Sequence, residues 1–121
     1  MKTPQDDVNR LDQQLAKLDA EFSRKLPARL KEISDGCHRL LLGAAARTDL
    51  ESLHSNVHKL AGSGTSFGSP GISAAALALG RSLKVALAGR KADSKRISAE
   101  LSALEAAVEQ RLAGVRGRPG A

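Results

Sequence analysis

The chain is 121 residues long, enough for one domain, and its 41% hydrophobic residues set against 26% charged residues exclude a disordered chain. Trp and Tyr are absent and Phe22 and Phe67 are the only aromatic residues, so Leu, Ala, Val and Ile must fill the core, a mix that suits helices and argues against a β fold. The net charge is +6, with five of the six excess positive charges between residues 47 and 96, a distribution open to nucleic acid, an acidic membrane or an acidic protein surface.

Val8, Leu11, Leu15, Leu18 and Phe22 recur at three- and four-residue spacing, and the stripe runs on through Leu26, Leu30, Ile33, Cys37, Leu40 and Leu41. Pro27 interrupts it. With Ser23 as N-cap, Pro27 falls in a first turn where its missing amide costs nothing, so two helices are expected, over 5–22 and 25–43. One kinked helix is the close alternative, and a dimeric coiled coil is disfavoured because the heptads are not sustained. Cys37, the only cysteine, rules out an internal disulfide and reads as core packing.

Thr48 and Glu51 form a capping-box pattern ahead of Leu50, Leu53, Val57 and Leu60, starting a third helix. Ser69-Pro70 opens a fourth, striped by Ile72, Ala76, Leu79, Leu83 and Leu87 and ended by Gly89. Asp93 or Ser94 caps a fifth, carrying Ile97, Leu101, Leu104, Val108 and Leu112. Short polar loops favour an antiparallel up-and-down four-helix bundle with an additional N-terminal helix, an all-α fold. One domain is expected over 1–114, with a flexible tail over 115–121.

Helical phase then separates the residues of the third helix. With His58 at zero, Leu53, Val57, Leu60, Gly64 and Phe67 fall between about 180° and 260°, an apolar face that must meet the core. His58 points the other way, with Glu51, His54, Ser55, Ala61, Gly62 and Thr65 within about 60° of it. A core histidine is therefore disfavoured, and an idle surface histidine is the plain alternative. Glycine inside a helix costs ~1 kcal/mol relative to alanine, and this helix carries two. Gly62, one turn beyond His58, leaves room for another molecule to approach the imidazole, and Gly64 permits close packing on the core side. Fraying of the helix by residue 62 is the alternative.

The segment His58-Lys59-Leu60-Ala61-Gly62-Ser63-Gly64-Thr65-Ser66-Phe67-Gly68 resembles the phosphoacceptor motif of histidine phosphotransfer (HPt) domains. The resemblance extends to Leu26-Pro27-Ala28-Arg29-Leu30 and to the Ala-rich stretch after Pro70, roughly residues 15 to 90. It implies a helical carrier that shuttles a phosphoryl group on His58 between receiver-domain aspartates of a two-component phosphorelay, a phosphocarrier rather than an independent enzyme. Partners would be response-regulator receivers and a hybrid histidine kinase, with Mg²⁺ on the receiver and no cofactor or metal of the chain's own. Imidazole, with an unperturbed pKa around 6.5, is a good nucleophile near neutral pH. Many members of the family have a lysine three residues after the histidine where this chain has Ala61, so Lys59 is the first candidate for the charge partner and Arg81 and Lys84 are others. Ser63 is read as a hydrogen-bond donor or a helix cap, and His54 as a neighbour shaping the electrostatics or an ordinary polar-face residue.

His54 and His58 are spaced for metal binding, but no third ligand is evident. A basic nucleic-acid-binding or docking protein is the alternative function, weakened by the absence of aromatic stacking residues and of a helix-turn-helix pattern. A degenerate docking member is disfavoured by the retention of His58 and Gly62, and no hydrolytic constellation can be assembled. No apolar run approaches the roughly 20 residues that span a bilayer, and the MKTPQDDVNR start lacks a secretory apolar region. A cytoplasmic monomer that binds neither membrane nor nucleic acid is expected.

Overall fold

The structure, a computed structural model, describes residues 3–116. Four helices account for nearly all of them: α1 (Pro4–Leu41), α2 (Arg47–Ser66), α3 (Pro70–Leu87) and α4 (Ser94–Arg116). Each packs on the next and α4 closes back on α1, with no diagonal backbone approach among the described residues, so the helices run up and down around one core. Among the described residues none of the helices is long and apolar enough to cross a membrane.

The two helices expected over 5–22 and 25–43 form one. α1 runs unbroken through Pro27 for 38 residues, about 57 Å at 1.5 Å per residue. Ser23, expected as an N-cap, is instead buried inside it. Proline removes one backbone hydrogen bond here, and the flanking residues offset that loss by packing: Phe22, Leu26 and Ile33 are all buried in the core. The additional N-terminal helix is therefore the first half of α1. The chain's true start signal lies further upstream, where the Thr3 hydroxyl accepts from the Asp6 amide and the Asp6 carboxylate accepts from the Thr3 amide, both at 3.2 Å.

The N-cap of α2 also differs from expectation. Thr48 lies within the helix, the N-cap is Ala46, and the Asp49 carboxylate accepts the Ala46 amide at 3.0 Å. Glu51 pairs instead with Arg47 at 3.2 Å. Ser69-Pro70 does open α3, and Asp93 accepts the Arg96 amide at 3.1 Å at the start of α4. Val115 and Arg116, assigned to the flexible tail, continue α4, and residues 117–121 lie outside the described residues.

The core is almost wholly aliphatic, with Leu26, Ile33, Val57, Leu60, Ile72, Leu79, Leu83, Ile97 and Leu104 fully buried. Cys37 joins them; burial pushes its thiol up to about 11, and Glu105 adds to the shift. The two phenylalanines stack at 4.9 Å. Beside them Arg111 ties four segments together. Its Nη1 donates to the Phe67 carbonyl at 2.6 Å and to Ser69 Oγ at 2.7 Å, its Nε to Ser23 Oγ at 3.1 Å, and its Nη2 to Asp19 at 2.8 Å. The guanidinium also lies 5.2 Å from the Phe22 ring centre. A planar fork with five N–H groups can serve all these acceptors at once, which an ammonium cannot.

Arg111→Ala should lower the unfolding free energy by roughly 2–4 kcal/mol, mostly through the bonds to Phe67 and Ser69 because Asp19 is part-exposed. Arg111→Lys should recover less than half of the loss. Urea titration followed by circular dichroism measures both, and an unchanged midpoint in Arg111→Ala would contradict this role.

Candidate functional site

The register of α2 is fixed by what it buries. Leu53, Val57, Leu60 and Gly64 are buried on one side, so the 3.6-residue repeat turns His58 outward. His58 and Gly62 are exposed, and His54 is half-buried. The two imidazoles lie nearly parallel, 15° apart in plane, with ring centres 6.4 Å apart.

α2 does not fray at its glycines. It continues to Ser66, and its end is built by Gly68 at φ +67°. In that left-handed conformation the Ser69 amide reaches back to the Gly64 carbonyl at 2.7 Å, and the Gly68 amide to the Thr65 carbonyl at 3.4 Å, a Schellman closure. Both interior glycines are thus real costs to helix stability, and they serve different ends. A methyl group on Gly62 would meet nothing within 4 Å, whereas one on Gly64 would lie 3.0 Å from the Ser73 amide nitrogen and 3.1 Å from the Ser69 carbonyl. Gly64 lets the two backbones touch, and Gly62 keeps the surface beside His58 bare.

Three groups lock α3 against α2 just behind the site. Ser73 Oγ donates to the Ala61 carbonyl at 2.9 Å, and Thr65 Oγ1 lies 2.8 Å from Ser73 Oγ and 3.3 Å from that same carbonyl. Each hydroxyl has one proton. With Ser73 donating to Ala61, Thr65 donates to Ser73 by the shorter path. The sequence pattern did not point to this cluster, because nothing marks a serine on α3 as opposite a carbonyl twelve residues earlier.

A groove of about 230 Å³ runs between α2 and α3, lined by His54, His58, Ala61, Leu77, Gly80, Arg81 and Lys84 among others. Among the described residues neither Arg81 nor Lys84 is paired with a carboxylate. Ala61, placed on the exposed face by helical phase, is buried at 4% exposure and forms the groove floor. Lys59 lies elsewhere. It lines a separate cavity towards α1 with Arg29, Glu32, Ile33 and Asn56. The structure thus gathers His54 and His58 with Arg81 and Lys84, and sets Lys59 apart from that groove. Ser63 is half-buried, outside the groove lining, and its carbonyl accepts the Phe67 amide at 2.9 Å. Among the described residues no group of three or more His, Cys, Asp or Glu could hold a metal ion.

Gly62→Ala should leave stability unchanged or raise it by up to ~1 kcal/mol through helix propensity. Gly64→Ala should lower stability by roughly 1–3 kcal/mol because α3 must move away. Thermal unfolding of the two variants tests the contrast, and equal effects would refute the division of roles.

No curated protein and no solved structure gives a significant match to the chain. A family model does: the Hpt domain matches residues 5–114, nearly the whole chain. The four-helix arrangement, the exposed histidine and that match agree, and the chain belongs to the Hpt domain family, whose role is histidine phosphotransfer in phosphorelays.

Proposed function

We propose that His58 is the phosphoacceptor of this chain, carrying a phosphoryl group between aspartates of response-regulator receiver domains, with a hybrid histidine kinase as a further partner. One observation carries the reading: an exposed imidazole stands beside bare Gly62 and opens onto a groove walled by Arg81 and Lys84, two cations with no carboxylate partner among the described residues.

The transfer needs little from this protein except position. A ring nitrogen of the neutral imidazole attacks the phosphorus of an aspartyl phosphate; the N–P bond forms, the acyl O–P bond breaks and the aspartate leaves as carboxylate. The resulting imidazolium sheds its remaining N–H proton to water, and the reverse sequence passes the group on. Mg²⁺ is expected on the receiver, whose acidic pocket the exposed ring must enter. Gly62 keeps the approach clear, and the basic residues between 47 and 96 favour encounter with an acidic surface.

Charge stabilisation of the phosphoryl group falls to Arg81 and Lys84 in place of the lysine absent at Ala61. Lys59, the first candidate from the motif, borders a different cavity from the one His58 lines. His54, half-buried and nearly parallel to His58 with ring centres 6.4 Å apart, borders the ring on that side.

Incubation with a phosphorylated receiver and Mg²⁺ should label the chain through an acid-labile, base-stable bond, and His58→Gln should abolish the label. Label retained in that variant would end the proposal. Loss of one charge contact in a transition state costs about tenfold in rate, so Arg81→Ala combined with Lys84→Ala should slow transfer by at least that factor. Lys59→Ala should stay within about twofold of the parent. A reversed order in rapid-quench kinetics would return the charge role to Lys59.

A further inference from the structure

The groove beside His58 is a concavity of the chain by itself, and its charge is of one sign. Arg81 and Lys84 line it from α3, His54 and His58 line it from α2, and no acid is among its lining residues. Two cavities between α1 and α2 differ in this respect, one bordered by Glu32, Asp35 and Asp49 and the other by Glu32. Neither Arg81 nor Lys84 has a carboxylate partner among the described residues, so their N–H donors are free to meet a visiting oxyanion.

The rest of the groove is apolar. Ala61, Ala76 and Gly80 give it depth because they are small, and Leu77, 45% exposed, adds a hydrocarbon edge. A longer side chain at Ala61 would occupy this space. At about 230 Å³ the groove lies below the roughly 300 Å³ at which pockets for drug-sized molecules begin. Its occupant is thereby limited to an oxyanion with one short apolar substituent.

We propose that the groove seats small acyl phosphates, so that His58 takes a phosphoryl group from a soluble mixed anhydride without any receiver. This activity rests on His58 being the phosphoacceptor and adds a second substrate class to it. An acyl phosphate carries the same functional group as an aspartyl phosphate, freed from a protein. Its phosphoryl oxygens meet Arg81 and Lys84, and a nitrogen of the neutral His58 ring attacks phosphorus. The N–P bond forms, the O–P bond to the acyl group breaks, the carboxylate departs and the remaining ring N–H proton passes to water. Two fixed cations then take the part expected of the receiver's Mg²⁺. Phosphate monoesters would bind without reacting, because an alkoxide leaves far less readily than a carboxylate.

The full chain incubated with radiolabelled acetyl phosphate and EDTA, with no receiver, should acquire an acid-labile, base-stable label at a rate that saturates with donor. His38, an exposed histidine outside the groove, reports the reactivity of an imidazole that lacks this setting. One charge contact is worth about tenfold in rate, so peptide mapping should find His58 labelled at least ten times faster than His38. Arg81→Ala with Lys84→Ala should bring the two within about threefold. Inorganic phosphate should slow the labelling competitively, and sodium chloride of equal ionic strength should not. Equal labelling of His38 and His58, or an unchanged rate in the double variant, would overturn the proposal. Label from a phosphorylated receiver with none from acetyl phosphate would overturn this activity alone, whereas no label from either donor would remove the phosphoacceptor role beneath it.

Discussion

The close approach of α2 and α3 at Gly64 is the contact on which the site depends. A side chain there would meet the backbone of α3 at 3.0–3.1 Å, so only glycine permits the helices to sit at this separation. The same approach brings Ser73 to the Ala61 carbonyl and sets Arg81 and Lys84 along the groove that begins at His58. With the core fixing one side of α2, the imidazole has no route to the interior. Exposure of the histidine is thus a result of packing elsewhere in the bundle and needs no local device to hold it out.

Arg111 plays the matching part at the same end of α2, just beyond Gly64. Helix C-termini leave carbonyls without partners, and at this end the Phe67 carbonyl receives a guanidinium N–H from a residue 44 positions away. The same side chain holds Ser23, Ser69 and Asp19, and so closes α4 onto α1 at the level where the phenylalanines stack. A core of small aliphatic side chains has few rigid shapes with which to specify one packing. A charged, many-bonded residue beside the only aromatic pair supplies direction that Leu and Ala lack.

The elements governed by periodicity were readable from the residues alone. The stripes of α2, α3 and α4 predicted which side chains are buried, and the phase of α2 put His58 outside and Gly64 inside. Ser69-Pro70 and Asp93 marked real helix starts because their cues are local. Pro27 misled, since its effect on a helix depends on how firmly Phe22 and Leu26 are held by distant helices, which no local pattern reports. Thr48 and Glu51 fitted a capping box that Ala46 and Asp49 occupy, a shift of two residues that leaves the apolar stripe unaltered. The motif carried the family resemblance, while the distribution of cations around the groove required the bundle: Lys59 is next to His58 in the chain, yet Arg81, over twenty residues away, shares its groove. Arg111 was invisible because its partners are scattered over the whole chain.

The continuity of α1 through Pro27 has a mechanical consequence. A flexible linker would let the bundle wander about any anchor point, with only its reach set by length. Here the exposed first turns, residues 4–18, and the part of α1 that walls the bundle belong to one continuous helix, without a loop between them. Whatever grips those first turns therefore constrains the compass bearing of the face that holds His58, so that capture at one extremity aims the other.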